Sequence, residues 1–321
     1  MVTVEMGCAG MGRTGRAVAT ALALAAAIGS CGCSLLIPSR ADVVREEVAP
    51  ALGSGDLVQE GVLTVAFDTA SAPEGITDAD GTVTGYYADV AAALAHRLGL
   101  KVSFVDATSS SQVLESGQAD IYLGASTSDE DESIAVFGDC LEDSSALFAK
   151  TDEGQTLSVD DLASMTVGVQ GSSAAQDSLN KAGVVGQQST YMNVNECFEA
   201  LSSGEVDCVA CDATSGGYLA RAYEGVSFAG TLDAVNVLGI AASEGSSTLI
   251  DEVNGALEDM ADDGTLDAIH ATWFGTLPVS LSDHMLTGIT VESTGPDDAT
   301  GDGGDTGIML LDGVDINELG A

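Results

Sequence analysis

Residues 61–105 read GVLTVAFDTASAPEGITDADGTVTGYYADVAAALAHRLGLKVSFV. Val62 to Phe67 is a short run of β-branched and apolar residues, as in a strand buried on both faces of a parallel sheet. A turn rich in Gly, Pro and Asp follows. From Tyr87 onward the apolar residues fall at Tyr87, Val90, Ala91, Leu94 and Leu98, one stripe of a helix, and Gly99 stands where a left-handed residue commonly ends one. Lys101 to Val105 then alternates as a second strand. The unit is βαβ with a long first loop, and loops at the carboxyl ends of parallel strands are where small ligands are held.

Outward from this unit the chain writes one phrase twice. Leu114-Glu-Ser116-Gly117-Gln-Ala-Asp120 is echoed by Leu201-Ser-Ser203-Gly204-Glu-Val-Asp207, and a short apolar run follows each. Thr127 and Thr214 stand seven residues after the two aspartates. Helix, Gly stop, strand and polar strand end recur in the same order, which predicts two related lobes. Between the copies, Met165 to Val169 is a predicted strand and Gln170 to Ser173 opens a helix with Ser172 as its N-cap. Val235 to Ala242 is a further strand. Two closing helices carry the stripes Leu249, Ile250, Val253, Leu257, Met260 and Leu266, Ile269, Trp273.

The charge is one-sided, 9 Lys and Arg against 50 Asp and Glu, for a net of −41. Such a surface repels phosphate backbones and anionic lipid, so nucleic acid is excluded as a partner and membrane attachment needs a separate anchor. Arg13 and Arg16 precede the apolar and small stretch Ala17 to Gly29 and then Ser30-Cys31, the pattern of an export signal rather than a membrane span. Translation starting at Met6 or Met11 would suit that signal as well. Residues 32–59 read as a tether. Residues 278–321 read as an acidic Gly/Asp-rich tail, and Asp298, Asp302 and Asp305 lack the spacing of a calcium loop.

These motifs resemble the bacterial extracellular solute-binding proteins of the polar-amino-acid class, family 3. Gly61-Val-Leu63, Pro73, Gly85-Tyr86, Asp89 and Leu98-Gly99 fall into the family's opening pattern, and Thr272-Trp273-Phe274-Gly275 resembles its closing K-W-F-G. The resemblance implies an α/β, two-lobed periplasmic-binding-protein-like fold (type II), with a ligand cleft between lobes joined by a two-strand hinge. Lobe 1 would comprise 60–143 and 236–277, and lobe 2 would comprise 144–235. It implies the substrate-binding component of an ABC importer, with a small polar solute and an ABC permease as partners, acting as a monomer without a cofactor, metal or catalytic residue. Ile28-Gly29-Ser30-Cys31 resembles a lipobox, which makes residues 1–31 a signal peptide and Cys31 the lipidated residue of a protein anchored to the outer face of the cell membrane. Cleavage by ordinary signal peptidase beside an incidental Cys is the alternative.

Carried onto this chain, the family pattern places ligand contacts at Asp68, Ser71, Glu74, Thr127, Ser172 and Asp212. Asp212 would hold an ammonium at a strand end, and Ser172 a carboxylate at a helix N-terminus. The departures are as informative. The family's bidentate Arg falls at Asp131 or Glu132, reversing the charge, and its first-loop aromatics fall near Ser71 and at Glu74, so the usual aromatic box is missing. Lys150 and Arg221 remain as substitutes for that Arg. A cationic or neutral ligand suits these positions better than an amino acid held by both ends. A ligand-free or sensory scaffold of the same fold is the alternative, and a dehydratase-type enzyme, known among relatives of this fold, is less favoured.

Four cysteines lie inside the lobes, Cys140, Cys197, Cys208 and Cys211. An odd spacing on a strand sends Cys208 and Cys211 to opposite faces. In an exported protein four such cysteines allow three disulfide connectivities, and Cys197, on the preceding helix, is a candidate partner for Cys208.

Overall fold

The structure is a computed structural model that describes residues 48–286 except Asp131, Val184 and Val185. The signal peptide, Cys31 and most of the tether and tail lie outside the described residues.

Two five-stranded sheets carry the fold. The first runs β4-β1-β5-β12-β6 and is built from β1 (Val62–Phe67), β4 (Lys101–Asp106), β5 (Ile121–Ser126), β6 (Ile134–Asp143) and β12 (Asn236–Ser243). β1 lies parallel to β4 and β5, whereas β12 is antiparallel to β5 and β6. The second runs β11-β7-β10-β8-β9, from β7 (Ser145–Lys150), β8 (Thr166–Gln170), β9 (Gln187–Tyr191), β10 (Cys208–Asp212) and β11 (Val226–Thr231). Here β8, β9 and β10 are parallel, and β7 is antiparallel to both β10 and β11. A ribbon of β2 (Ile76–Thr77) and β3 (Val83–Thr84) lies in the long first loop.

The βαβ unit forms where the pattern predicts it. α1 spans Tyr86–Arg97, and its stripe Tyr87, Val90, Ala91 and Leu94 is buried with Leu63, Val65 and Phe67 of β1 in one core. Gly99 has φ +67°, the left-handed stop. α2 (Ser110–Glu115) and α5 (Val194–Ser203) carry the two copies of the repeated phrase. Their aspartates explain it. The Asp120 N–H donates to Thr64 O at 2.8 Å and the Asp120 carboxylate accepts from the Thr64 N–H at 2.6 Å. Asp207 does the same with Thr166, at 2.9 and 2.8 Å. Each aspartate closes a ring with the strand beside it and fixes where the next strand begins. Asp120 also accepts from the Val58 N–H, so residues predicted to be tether are tied to the first sheet. Leu52 is buried there as well.

Two findings differ from the sequence reading of helix ends and cysteines. α4 (Ala174–Ala182) is capped by Ser173, whose hydroxyl accepts from the Gln176 N–H; Ser172, with φ +61°, stands one residue outside. The expected Cys197–Cys208 disulfide is not made, because all four described cysteines are buried free thiols. Cys197 packs on one face of the second sheet with Val209 and Cys211, whereas Cys208 and Ala210 enter the core on the other face. The alternation that separates Cys208 from Cys211 also separates it from Cys197.

Two helices close the first lobe, α7 (Ser247–Asp262) and α8 (Thr265–Phe274). α8 packs against α6 (Ala213–Ala220) of the second lobe. The approach is close: a Cβ on Gly217 would lie 3.1 Å from Phe274 O, and one on Gly216 would overlap the Phe148 ring at 2.0 Å. Tyr218 stacks on Trp273, and the Arg221 guanidinium donates to Trp273 O. Beyond α8 the chain does not leave the fold at Pro278. Leu281 and Leu286 are buried, and the Leu286 N–H donates to Thr231 O at the end of β11.

Replacing Asp120 by Ala removes a carboxylate that accepts two backbone N–H groups, and urea unfolding should show a loss of roughly 2–3 kcal/mol, the worth of hydrogen bonds to a charged group. Asp207→Ala, exposed and accepting one such bond, should cost less.

Candidate functional site

The carboxyl ends of the parallel strands in both sheets face one gap, the place where open α/β sheets hold ligands. A cavity of about 240 Å3 lies there, below the usual range for drug-sized ligands and suited to a small solute. Its acidic lining comes from both lobes: Asp68 and Glu74 from the first loop, Asp143 at the end of β6, and Asp212 at the end of β10.

Local structure aims each of these groups. Gly85 has φ +127°, and a Cβ there would lie 2.3 Å from Glu74 O, so only glycine lets the loop fold back on the start of α1. The free N–H groups of that helix end then clamp the loop, Tyr86 donating to Pro73 O and Tyr87 to Glu74 O. Asp212 occupies the N-cap position of α6 but makes no side-chain cap bond. Asp143, arriving on the crossing strand, accepts from the Thr214 N–H at 3.2 Å in its place. Asp212 is thereby left to face the cavity. Glu74 of the first lobe and Thr214 of the second line the same cavity from opposite sides of the gap.

The electrostatics follow from burial without a counter-charge. Desolvation raises the Asp143 carboxyl to about 7, with repulsion from Asp212 and Glu74 adding to it and the Thr214 and Ser144 N–H groups opposing it. Glu74 is raised first by burial, opposed by the Thr214 hydroxyl, with Asp212 adding repulsion. Asp212 is raised by burial. Among the described residues no group of three or more His, Cys, Asp or Glu is placed to hold a metal ion.

Of the six residues expected to meet a ligand, Asp68, Ser71, Glu74 and Asp212 line this cavity, and Thr127 and Ser172 do not. Thr127 begins a 3-10 turn after β5, and the Ser172 N–H donates to the Gln176 side chain. Lys150 and Arg221 do not replace the missing Arg: Lys150 donates to Ser202 O, and Arg221 is held at the α6–α8 junction. Sequence reading missed Asp143, Thr214 and two aromatic walls, Tyr87 and Tyr122. Thr214 was marked by the repeat, but Asp143 sits in a crossing segment with no motif of its own.

Comparison with known proteins agrees with this geometry. The family model for bacterial extracellular solute-binding proteins, family 3, matches residues 63–276. The chain belongs to that family. It is 27% identical over 225 residues to the L-cystine-binding protein TcyJ of Escherichia coli (strain K12), covering 68% of this chain and 84% of that one. It is 26% identical over 201 residues to the ABC transporter glutamine-binding protein GlnH of Bacillus subtilis (strain 168), covering 60% and 73%. Among solved structures, an ancestral cationic amino acid solute-binding protein superposes with a TM-score of 0.57 at 27% identity, covering 68% of this chain and 97% of that one. A polar amino acid ABC uptake transporter substrate-binding protein from Streptococcus thermophilus shares the fold with a TM-score of 0.62 at 20% identity, covering 70% and 89%. The chain is thus an extracellular solute-binding protein of family 3 with the two-lobed type II fold, as the resemblance implied.

The acidic cleft predicts a pH dependence of opposite sign to ordinary acid denaturation. Asp143 binds its proton more tightly folded than unfolded, so its contribution is fully present below about pH 4 and is lost as pH rises towards 7. A rise of about three units corresponds to something on the order of 4 kcal/mol. Urea titrations of the ligand-free protein across this window should show Asp143→Asn gaining on the wild type as pH rises. An unchanged difference would remove Asp143 as the cause.

Proposed function

We propose that this receptor captures a small polar, amino-acid-like or cationic solute in the cleft, with Asp68, Ser71, Glu74, Asp143, Asp212 and Thr214 as its contacts, and returns it unaltered to an ABC permease. The observation that carries this reading is the cavity lined from both lobes, with Asp68 and Glu74 on one side and Asp212 and Thr214 on the other. Hinge motion about the two crossing strands would open and close it. The division into 60–143 with 236–277 and 144–235 follows the two sheets. Lipid anchoring through Cys31, on the outer face of the membrane, rests on the lipobox-like run Ile28 to Cys31. No helix among the described residues is long and apolar enough to cross a membrane. A monomer that performs no chemistry accords with relatives that are substrate-binding proteins.

A thermal-shift panel of amino acids, amines and short peptides on the full chain tests this. A solute at about a hundred times its Kd should add roughly 2.7 kcal/mol of stability. The shift should disappear in Asp212→Ala. No shift with any solute in the panel would end the receptor reading of this cleft.

A further inference from the structure

The charge in the cleft has no counterpart anywhere near it. Among the described residues, Arg97 pairs with Asp263, Lys150 donates to Ser202 O, and Arg221 lies over the Tyr218 ring. Lys101 opens the edge strand β4 and Lys181 sits in the last turn of α4. His270 packs between Tyr86 and Phe274, and His284 against Phe228. None of these groups, nor His96, lines the cavity.

Backbone donors give an anion no better seat. An acid group normally docks on the free N–H groups of a helix N-terminus. At the start of α4 the Ser172 N–H donates to the Gln176 carboxamide and the Gln176 N–H to the Ser173 hydroxyl, and no residue of that turn lines the cavity. After β5, Ser126 N–H donates to Asp129, and at α6 the Thr214 N–H donates to Asp143. A solute carboxylate would therefore enter beside four acidic side chains, with the Thr214 N–H already engaged by one of them.

The acidic groups also come from separate parts of the chain. Asp68 and Glu74 belong to one lobe, Asp212 to the other, and Asp143 to the crossing strand between them. They do not converge on a point where one ion would sit. Tyr87, Tyr122 and Leu238 supply apolar surface in the same cavity, suited to a methylene stem.

We propose that the cleft takes a small aliphatic dication of the diamine class, one that carries no carboxylate, with its two charged ends divided between the carboxylates of the two lobes. This rests on the receptor reading above and narrows it to a chemical class. A cation at each end neutralises groups that otherwise repel, whereas an α-amino acid would bring one more buried anion without a partner.

The test uses matched pairs that differ only by a carboxylate: cadaverine against lysine, and agmatine against arginine. Calorimetric titration of the full chain at about 0.15 M salt, where attraction to the acidic surface at large is screened, should find at least one diamine binding roughly tenfold or more tightly than its amino acid. The double variant Glu74→Gln, Asp212→Asn replaces charge by shape-matched amides and should weaken that diamine by roughly tenfold or more, with an unchanged circular dichroism spectrum. Equal or tighter binding of lysine or arginine would overturn the proposal and leave the receptor reading standing. So would tight binding of a neutral amino acid with no response to either diamine. Diamine binding that survives the double variant would mark diffuse attraction to an acidic surface and overturn it too. Silence from diamines, lysine, arginine and neutral amino acids together would overturn both readings.

Discussion

The chain crosses between its two sheets as extended strand, and that fixes most of what the molecule can do. β6 passes into β7 with only Ser144 between them, and β12 returns from the second sheet to lie between β5 and β6. β6 and β12 are hydrogen-bonded in the first sheet and β7 in the second, so the two sheets are joined through short covalent crossings. Their parallel strands end at the same gap. Asp143, the last residue of β6, stands at the crossing itself and caps α6 of the second lobe. A residue of the hinge thus becomes part of the cleft floor, with its carboxyl kept close to neutral by burial and by Asp212 and Glu74.

Behind the gap the lobes are joined again. The α6–α8 junction brings Gly217 against Phe274, Gly216 packs on Phe148 of its own lobe, and one apolar core runs through residues of both lobes. Opening the cleft must therefore work against packing on the side where α6 and α8 meet. Interiors of this kind hold discrete arrangements rather than deforming continuously. The segment through Leu281 and Leu286, tied to Glu142 and Thr231, adds a further link between α8 and the second sheet.

The departures from the family pattern form a consistent set. Asp131, one of the two positions where the family's Arg was expected, lies outside the described residues, and Glu132, the other, is exposed and does not line the cavity. At the helix N-terminus expected to take a solute carboxylate, the Ser172 N–H is held by the Gln176 side chain, away from the cavity. Tyr87 and Tyr122 take the aromatic surface into α1 and β5, away from the first loop where the family places it.

Much of this was legible before any coordinates. The βαβ unit, the two closing helices and the duplicated phrase are set by local periodicity and by glycines at left-handed stops, and the strands and helices fall within a residue or two of their patterns. Asp212 and Glu74 could be found because they sit at fixed offsets from those patterns. Asp143 could not, since nothing near it in sequence distinguishes it from 49 other acidic residues. Its role comes from a contact 71 residues away, with the Thr214 N–H. The N-cap slipped by one residue to Ser173 because two adjacent serines are equal in sequence and only the hydroxyl geometry separates them. The cysteine pairing failed for a related reason. Periodicity tells which strand residues face apart, but the face of the sheet that a neighbouring helix covers is decided by the packing of the whole lobe.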